Sequence, residues 1–338
     1  MISFASDNCA AVHPAVMEAL NAANTGHAPS YGGDRWTKEL SERLNALFGR
    51  EVYAYPMMNG TGANVAALAH ITLGYSSAVC ADVCHMHTNE TGAPERIAGV
   101  KLLAEPHAGG KLTVENIEKH MPDIGNEHHA QPRAVILTQA TELGTVYTPG
   151  EVKAIAGVCR RNGLLLYMDG ARIANAAAYL GVDIAGFTCD AGVDILCLGG
   201  TKNGAMYGEC LVFFDRALGE RFIFTRKNTA QLASKMRYIS AQFSALLTNG
   251  LWLENARRAN ETAAYIAKGL QEIRGIEIAY PVESNQIFFK TDEKTARGLQ
   301  KDFEFFSLGG LRRLVTSWDS RLDDADKFIS AVKSNINA

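Results

Sequence analysis

Leu164-Leu165-Leu166-Tyr167-Met168-Asp169-Gly170-Ala171-Arg172 is the stretch whose reading decides the fold. Leu164–Met168 is apolar at consecutive positions, so both faces of the strand it predicts must be covered, as in a sheet with helices on each side. The next apolar run, Asp194–Leu198, leads into Gly199-Gly200-Thr201-Lys202-Asn203-Gly204. Asp169 and Lys202 therefore stand at the carboxyl ends of neighbouring strands, and in an open α/β sheet the ligand crevice lies just outside those ends. A lysine there can form a Schiff base with pyridoxal phosphate, while an aspartate pairs with the protonated pyridine nitrogen and keeps the ring an electron sink. The competing reading is an ordinary ion pair at a strand end. It is the stronger one for either residue alone, and their joint placement reverses it.

Working outward, strand-like runs recur at Val52–Tyr55, Ala78–Ala81, Val100–Leu103, Ala134–Thr138 and Cys210–Phe214. Helical patterns alternate with them. One follows His13-Pro14, and one spans 37–48 with Leu40, Leu44, Leu47 and Phe48 on one face and Gly49 as its stop. An Ala-rich one covers 63–73, and another opens at Pro149, carries Val152, Ile155, Ala156 and Val158, and closes at Asn162-Gly163. This alternation predicts a doubly wound, mostly parallel α/β sheet whose strand order is not written in the sequence. From Gln231 the texture changes. Helical patterns over 231–249 and 251–273 lead to short strands at Ile276–Ala279 and Ile287–Lys290, a helix near Thr295–Asp302 and a strand at Leu314–Thr316. A last helix follows Ser320, with Phe328, Ile329, Val332 and Ile336 on one face. The expected division is an N-terminal arm and large domain over 1–245 and a small α+β domain over 246–338.

Composition narrows the function classes. The chain has 338 residues, 47% apolar and 20% charged, which excludes general disorder. Its net charge of -3 argues against a chain-wide nucleic-acid or polybasic membrane role. No apolar run is long enough for a membrane span, and Met1–Cys9 lacks the basic and apolar regions of a signal peptide. Seven scattered cysteines do not form a disulfide framework and are expected as buried free thiols in a reducing cytoplasm.

Three further groups bear on chemistry. Gly60-Thr61-Gly62-Ala63-Asn64 precedes a helix, where small residues and free N–H groups suit a phosphate; a plain strand-to-helix turn is the alternative. Cys80-Ala81-Asp82-Val83-Cys84-His85-Met86-His87 follows a strand. Its cysteines and histidines lack the second ligand pair that structural zinc requires, so no metal is expected. The strand end brings His85 or His87 to the crevice, where an imidazole can stack on a ring and move protons. A substrate carboxylate calls for a forked guanidinium, for which Arg172 and the Arg312-Arg313 pair are the candidates. His128-His129 reads as exposed loop, and Trp36, Trp252 and Trp318 as packing or interface residues.

Taken together, these motifs resemble the threonine aldolase branch of the pyridoxal phosphate enzymes, which have the aspartate-aminotransferase type of fold. The resemblance runs from Ser6-Asp7-Asn8 to Leu314-Val315-Thr316-Ser317-Trp318. It is closest to the bacterial low-specificity L-threonine aldolases, in the subgroup that includes phenylserine-cleaving members. It implies that Lys202 holds the cofactor as a Schiff base, Asp169 binds the pyridine nitrogen, and Gly60 and Thr61 hold the phosphate. His85, five residues before Glu90 and seven before Gly92, matches the family's ring-stacking histidine. Ser6, Arg172 and Arg313 would bind the substrate carboxylate. Arg237 would reach the phosphate from a neighbouring subunit and Tyr31 would stand at the subunit interface, which implies a homodimer with shared sites and commonly a homotetramer.

The sequence departs from the family at one place. The commoner pattern Glu-Asn-Thr-His-Asn-Gly is replaced by Gln139-Ala140-Thr141-Glu142-Leu143-Gly144, so a second imidazole is missing and Glu142 stands near its place. The implied reaction is cleavage of L-threonine, L-allo-threonine and related L-β-hydroxy-α-amino acids to glycine and an aldehyde. The base is His85, directly or through a water, or Glu142. Transamination and β-elimination use the same scaffold and remain as alternatives, with a non-catalytic metal-binding protein built on Cys80, Cys84, His85 and His87 as the remote one.

Overall fold

The computed structural model describes residues 1–308 and 310–336. A two-residue strand, β1 (Ile2–Ser3), comes first. Seven strands then build the main sheet: β2 (Tyr53–Met57), β3 (Ser76–Ala81), β4 (Lys101–Glu105), β5 (Gln131–Thr138), β6 (Leu165–Gly170), β7 (Ile195–Gly199) and β8 (Glu209–Phe213). Their order is β2-β8-β7-β6-β5-β3-β4. The pairs from β4 through β7 are parallel, and β8 is antiparallel to both of its neighbours.

Both faces of this sheet are buried, as the unbroken apolar runs required. Val135, Leu137, Leu166, Met168, Leu196 and Leu198 enter one apolar core, which includes Leu40, Leu44 and Ile155 from helices. The alternate positions Ala134, Ile136, Tyr167, Ile195 and Cys197 enter a second, under Ala63, Ala67 and Leu68. Strands and helices are packed closely at this centre. A side chain on Gly170 would lie 2.4 Å from the Cys197 carbonyl oxygen, a backbone atom that cannot step aside.

The C-terminal part carries β9 (Glu277–Ile278), β10 (Gln286–Lys290), β11 (Phe303–Glu304), β12 (Phe306–Leu308) and β13 (Leu311–Val315). The order β12-β13-β10-β9 is antiparallel throughout, and β11 pairs in parallel with β1. Phe4 joins the separate apolar core of this part, with Ile266, Phe289, Phe303 and Phe328. The first residues of the chain are thus tied to strands near its end, a non-local pairing that no local pattern announces.

Several helix boundaries shift from the sequence expectation, and two of the shifts have a visible cause. The helix after β2 begins at Gly60 rather than Ala63, because the Asn59 side chain accepts the Gly62 N–H at 2.7 Å and caps it early. The helical pattern over 231–249 forms only from Arg237 to Leu247. Ala230 has a left-handed backbone (φ 59°), and Gln231 is buried with its Oε1 accepting the Met58 N–H at 3.0 Å, so the apolar spacing here serves a packed loop.

Candidate active site

With β8 reversed, one edge of the sheet gathers the carboxyl ends of β2, β3, β5, β6 and β7 together with the beginning of β8. A cavity of about 290 Å³ opens there. Its walls come from the segments that leave those strands: Asn59–Thr61 and Asn64 after β2, His85 and Glu90 after β3, and Thr138, Ala140 and Glu142 from the end of β5. Asp169, Ala171 and Arg172 contribute from β6, Thr201 and Lys202 from the turn after β7, and Glu209 from β8. Lys202, Asp169, His85, Glu142, Gly60, Thr61 and Arg172 therefore line a single space.

Asp169 shares a sheet face with Tyr167, two positions earlier, and that face meets the helix Gly60–Ile71. Asn64 on this helix serves both residues. Its Nδ2 donates to Asp169 Oδ2 at 3.1 Å, and its Oδ1 accepts the Tyr167 hydroxyl at 2.6 Å. The same Nδ2 donates to Glu90 Oε1 at 2.9 Å, which also receives His85 Nδ1 at 3.2 Å. Asp169 Oδ1 accepts the Ala171 N–H at 3.0 Å. A buried polar chain thus links the histidine and the aspartate through Glu90 and Asn64 and holds both in orientation. The Glu90 hydrogen bond raises the His85 imidazole above its usual range, although burial pulls it down.

Glu142 closes the wall beside His85. Its Oε1 accepts the His85 N–H and the Thr138 hydroxyl, each at 2.8 Å, while Oε2 is buried without a partner. Burial pushes this carboxyl up to about 7, against both hydrogen bonds. Lys202 is partly exposed in the turn Thr201–Asn203, and among the described residues no hydrogen bond or ion pair engages its Nζ.

Arg172 grips Asp7 with both arms of its fork, Nε to Oδ2 at 2.7 Å and Nη2 to Oδ1 at 2.9 Å, and Asn285 donates to the same carboxylate at 3.0 Å. Burial alone would raise the Asp7 carboxyl, but Arg172 holds it below the usual range, helped by Lys202 and Asn285. Ser6 caps the turn that carries Asp7, accepting the Asn8 N–H at 3.1 Å. Arg313 donates to the Ala5 carbonyl at 3.4 Å, keeps Nε buried and unpaired, and lies within the electrostatic reach of Arg172. The period of two along β13 separates the adjacent arginines, so that Arg312 turns away to pair with Glu293. Ser6 and Arg313 thus reach the cavity wall through the Arg172–Asp7 pair and do not line it themselves.

Tyr31 and Arg237 lie apart from the cavity of a single chain. Tyr31 is 50% exposed with the Lys227 ammonium over its ring. Arg237 covers the rings of Trp36 and Tyr238. Cys80 and Cys84 are buried in an apolar core with Met86, and His87 is exposed. Among the described residues no cluster of three or more candidate metal ligands occurs. Asp7, Glu90 and Glu209 are among the site residues to which the sequence reading assigned no role, and Asn64 entered it only within the stretch read as a phosphate site. The signal for Glu209 was present as a lone carboxylate heading the apolar run Cys210–Phe214.

The family described as beta-eliminating lyase matches residues 3–294 of the chain. The chain belongs to this family, and its fold is the pyridoxal phosphate-dependent, aspartate-aminotransferase type. Within it, the chain is 41% identical to a low specificity L-threonine aldolase of a Pseudomonas species, over 94% of its own length and 93% of the relative's. It is also 41% identical to the low specificity L-threonine aldolase of Pseudomonas aeruginosa, covering 95% and 94% of the two chains. A solved structure of Leishmania major threonine aldolase superposes with a TM-score of 0.94 at 28% identity, covering 99% of each chain.

Proposed function

We propose that this protein is an aldehyde-lyase that cleaves L-threonine, L-allo-threonine and related L-β-hydroxy-α-amino acids such as phenylserine to glycine and an aldehyde, with pyridoxal phosphate as cofactor. One observation carries the reading: an amine free of hydrogen bonds, Lys202, and a buried carboxylate, Asp169, face one cavity floored by the N-terminus of the helix Gly60–Ile71. This donor set fits the group. Lys202 offers the nucleophile for its carbonyl, Asp169 the acceptor for its ring nitrogen, and the N–H groups of Gly60 and Thr61 a phosphate site unobstructed at Gly60. His85 lines the same cavity and would cover the ring. When bound, pyridoxal phosphate supplies an electron sink for the pair left at the α-carbon.

The residues of the chain do the rest. Arg172 is the guanidinium that lines the cavity, and we assign the substrate carboxylate to it, with Ser6 and Arg313 behind the Arg172–Asp7 pair completing the anion site. Holding the carboxylate there would set which bond to the α-carbon aligns with the electron sink. We assign the β-hydroxyl proton to Glu142. The Glu90 hydrogen bond favours the protonated His85 imidazole, which has no lone pair left to accept a proton, whereas Glu142 Oε2 is buried and unpartnered in the cavity wall. Held at about 7, Glu142 exchanges protons near neutrality, where a general base works best. It must be ionised to accept a proton, so kcat/KM falls as pH drops through about 7. Glu142→Gln is expected to lower kcat/KM by on the order of 10²-fold and to remove that acidic limb. A Gln variant with an unchanged pH profile returns the role to His85.

The reading extends to organisation. The substrate binds in the large domain, 1–245, against the small domain, 246–338. A second copy supplies Arg237 and Tyr31 in a homodimer with shared sites, paired into a homotetramer. All seven cysteines are free, in keeping with the cytoplasm, and among the described residues no helix is long and apolar enough to cross a membrane. Incubation with L-threonine and a keto acid tests the reaction. Glycine and acetaldehyde are expected, and a new amino acid from the keto acid would mean transamination instead.

A further inference from the structure

Because β8 runs against its neighbours, its first residue rather than its last reaches the edge where the parallel strands end. That residue is Glu209. It lies opposite Gly199 across the sheet, is 6% exposed, and lines the cavity with Lys202 and Asp169. Counting back by twos from Phe213 and Leu211 puts it on the face that carries Cys197 and Tyr167. Its Oε2 accepts the Gly200 N–H at 2.8 Å, which fastens the carboxyl to the turn that carries Lys202.

One backbone N–H and the neighbouring Thr201 hydroxyl do not offset the lost hydration of a buried carboxylate. The titratable groups that act on it are Lys202 from the turn, Asp169 from β6, Cys197 from β7 and Cys210 on β8 itself, and Lys202 is the cation among them. On the other side β2 faces it with Met57. Burial pushes Glu209 up to about 7, against the pull of the Lys202 charge, the Gly200 N–H and the Thr201 hydroxyl. A carboxyl poised there responds when the charge beside it changes.

We propose that Glu209, which shares the cavity with Lys202 without forming a direct ion pair with it, supplies the negative charge that balances the Lys202 nitrogen, ionised while that nitrogen is a cation and taking up a proton from water when the cation is lost. This rests on the function proposed above, in which Lys202 alternates between a free amine and a Schiff base. Glu209 acts through Lys202 and is a positioning residue. It keeps the lysine nitrogen protonated in the Schiff base, the form that a substrate amine attacks more readily.

Glu209→Gln keeps the shape and the acceptor for Gly200 but removes the charge. In the enzyme carrying cofactor, the pH at which the Schiff-base absorbance passes from its protonated to its unprotonated form is expected to fall by about one unit or more. In the cofactor-free protein, labelling of Lys202 by an amine-directed reagent, read by peptide mass spectrometry below both midpoints, is expected to become about tenfold faster. An unchanged midpoint and labelling rate in a natively folded variant would overturn the proposal. Should that variant not fold, cofactor-free Lys202→Met carries the test: the protonated carboxyl C=O stretch near neutral pH, to which Glu142 already contributes in the wild type, is expected to grow relative to the wild type, and an unchanged band would overturn the proposal equally. A wild-type protein that forms no Schiff-base band at all would sink the function proposed above, and the labelling comparison, which needs no cofactor, would still decide this inference.

Discussion

Lys202→Ala is expected to abolish both the visible absorbance band of a bound lysine Schiff base and turnover, the latter by on the order of 10⁴-fold or more. The size follows from what the residue does. Among the described residues, Lys202 is the one lysine that lines the cavity. The fold should survive the change. Lys202 is partly exposed, among the described residues its Nζ makes no hydrogen bond, and the buried carboxyl of Glu209 can take up a proton when the charge beside it is lost. Borohydride supplies the internal check, because it should fix the cofactor to Lys202 in the wild type and to nothing in the variant. A variant that keeps the band and loses it on reduction, with the label on another lysine, would remove Lys202 from the role assigned to it. The electrostatics add a second consequence. Without the Lys202 charge, Glu209 loses the interaction that lowers it most and should bind its proton more firmly.

The parts of this site that the sequence made legible are those whose position follows from a strand end. Asp169 closes the run Leu165–Met168, Lys202 follows the turn after β7, and His85 follows β3, so once the sheet is parallel all three arrive at one edge. Glu142 was legible for another reason, as the residue standing where a family pattern carries histidine. What the sequence hid depends on pairing direction or on distant contact. Glu209 lies at the edge only because β8 is antiparallel, and direction is not encoded in an apolar run. Asp7 matters because Arg172 and Asn285, far away in the chain, converge on its carboxylate. The occupied fork of Arg172 follows from the same convergence, since a guanidinium read from sequence looks free until its partner is placed. The pairing of β1 with β11, with Phe4 in the C-terminal core, is likewise a contact between chain ends that periodicity cannot announce.

Asp169→Asn is the sharper test, because it separates holding the cofactor from using it. The two carboxylate oxygens each accept an N–H, Oδ2 from Asn64 at 3.1 Å and Oδ1 from Ala171 at 3.0 Å. An asparagine has one acceptor oxygen, so one of these donors is left facing an NH₂ group, at a cost of about 1–3 kcal/mol in a buried site. The chemical loss should be larger. An amide carries no charge to keep a ring nitrogen protonated, and an unprotonated ring is a much weaker sink for the electrons of the breaking bond. Turnover is therefore expected to fall by on the order of 10³-fold, comparable to removing one preorganised electrostatic partner from an active site. The Schiff-base band should remain, since Lys202 is intact. Cofactor affinity should weaken modestly, because the phosphate site at Gly60 and Thr61 and the ring cover from His85 are untouched. The pattern of a retained band with lost turnover is the reverse of a folding defect, which would remove both. Normal turnover in Asp169→Asn would show that the buried carboxylate merely satisfies Asn64 and Ala171, and would refute its assignment as the partner of the ring nitrogen.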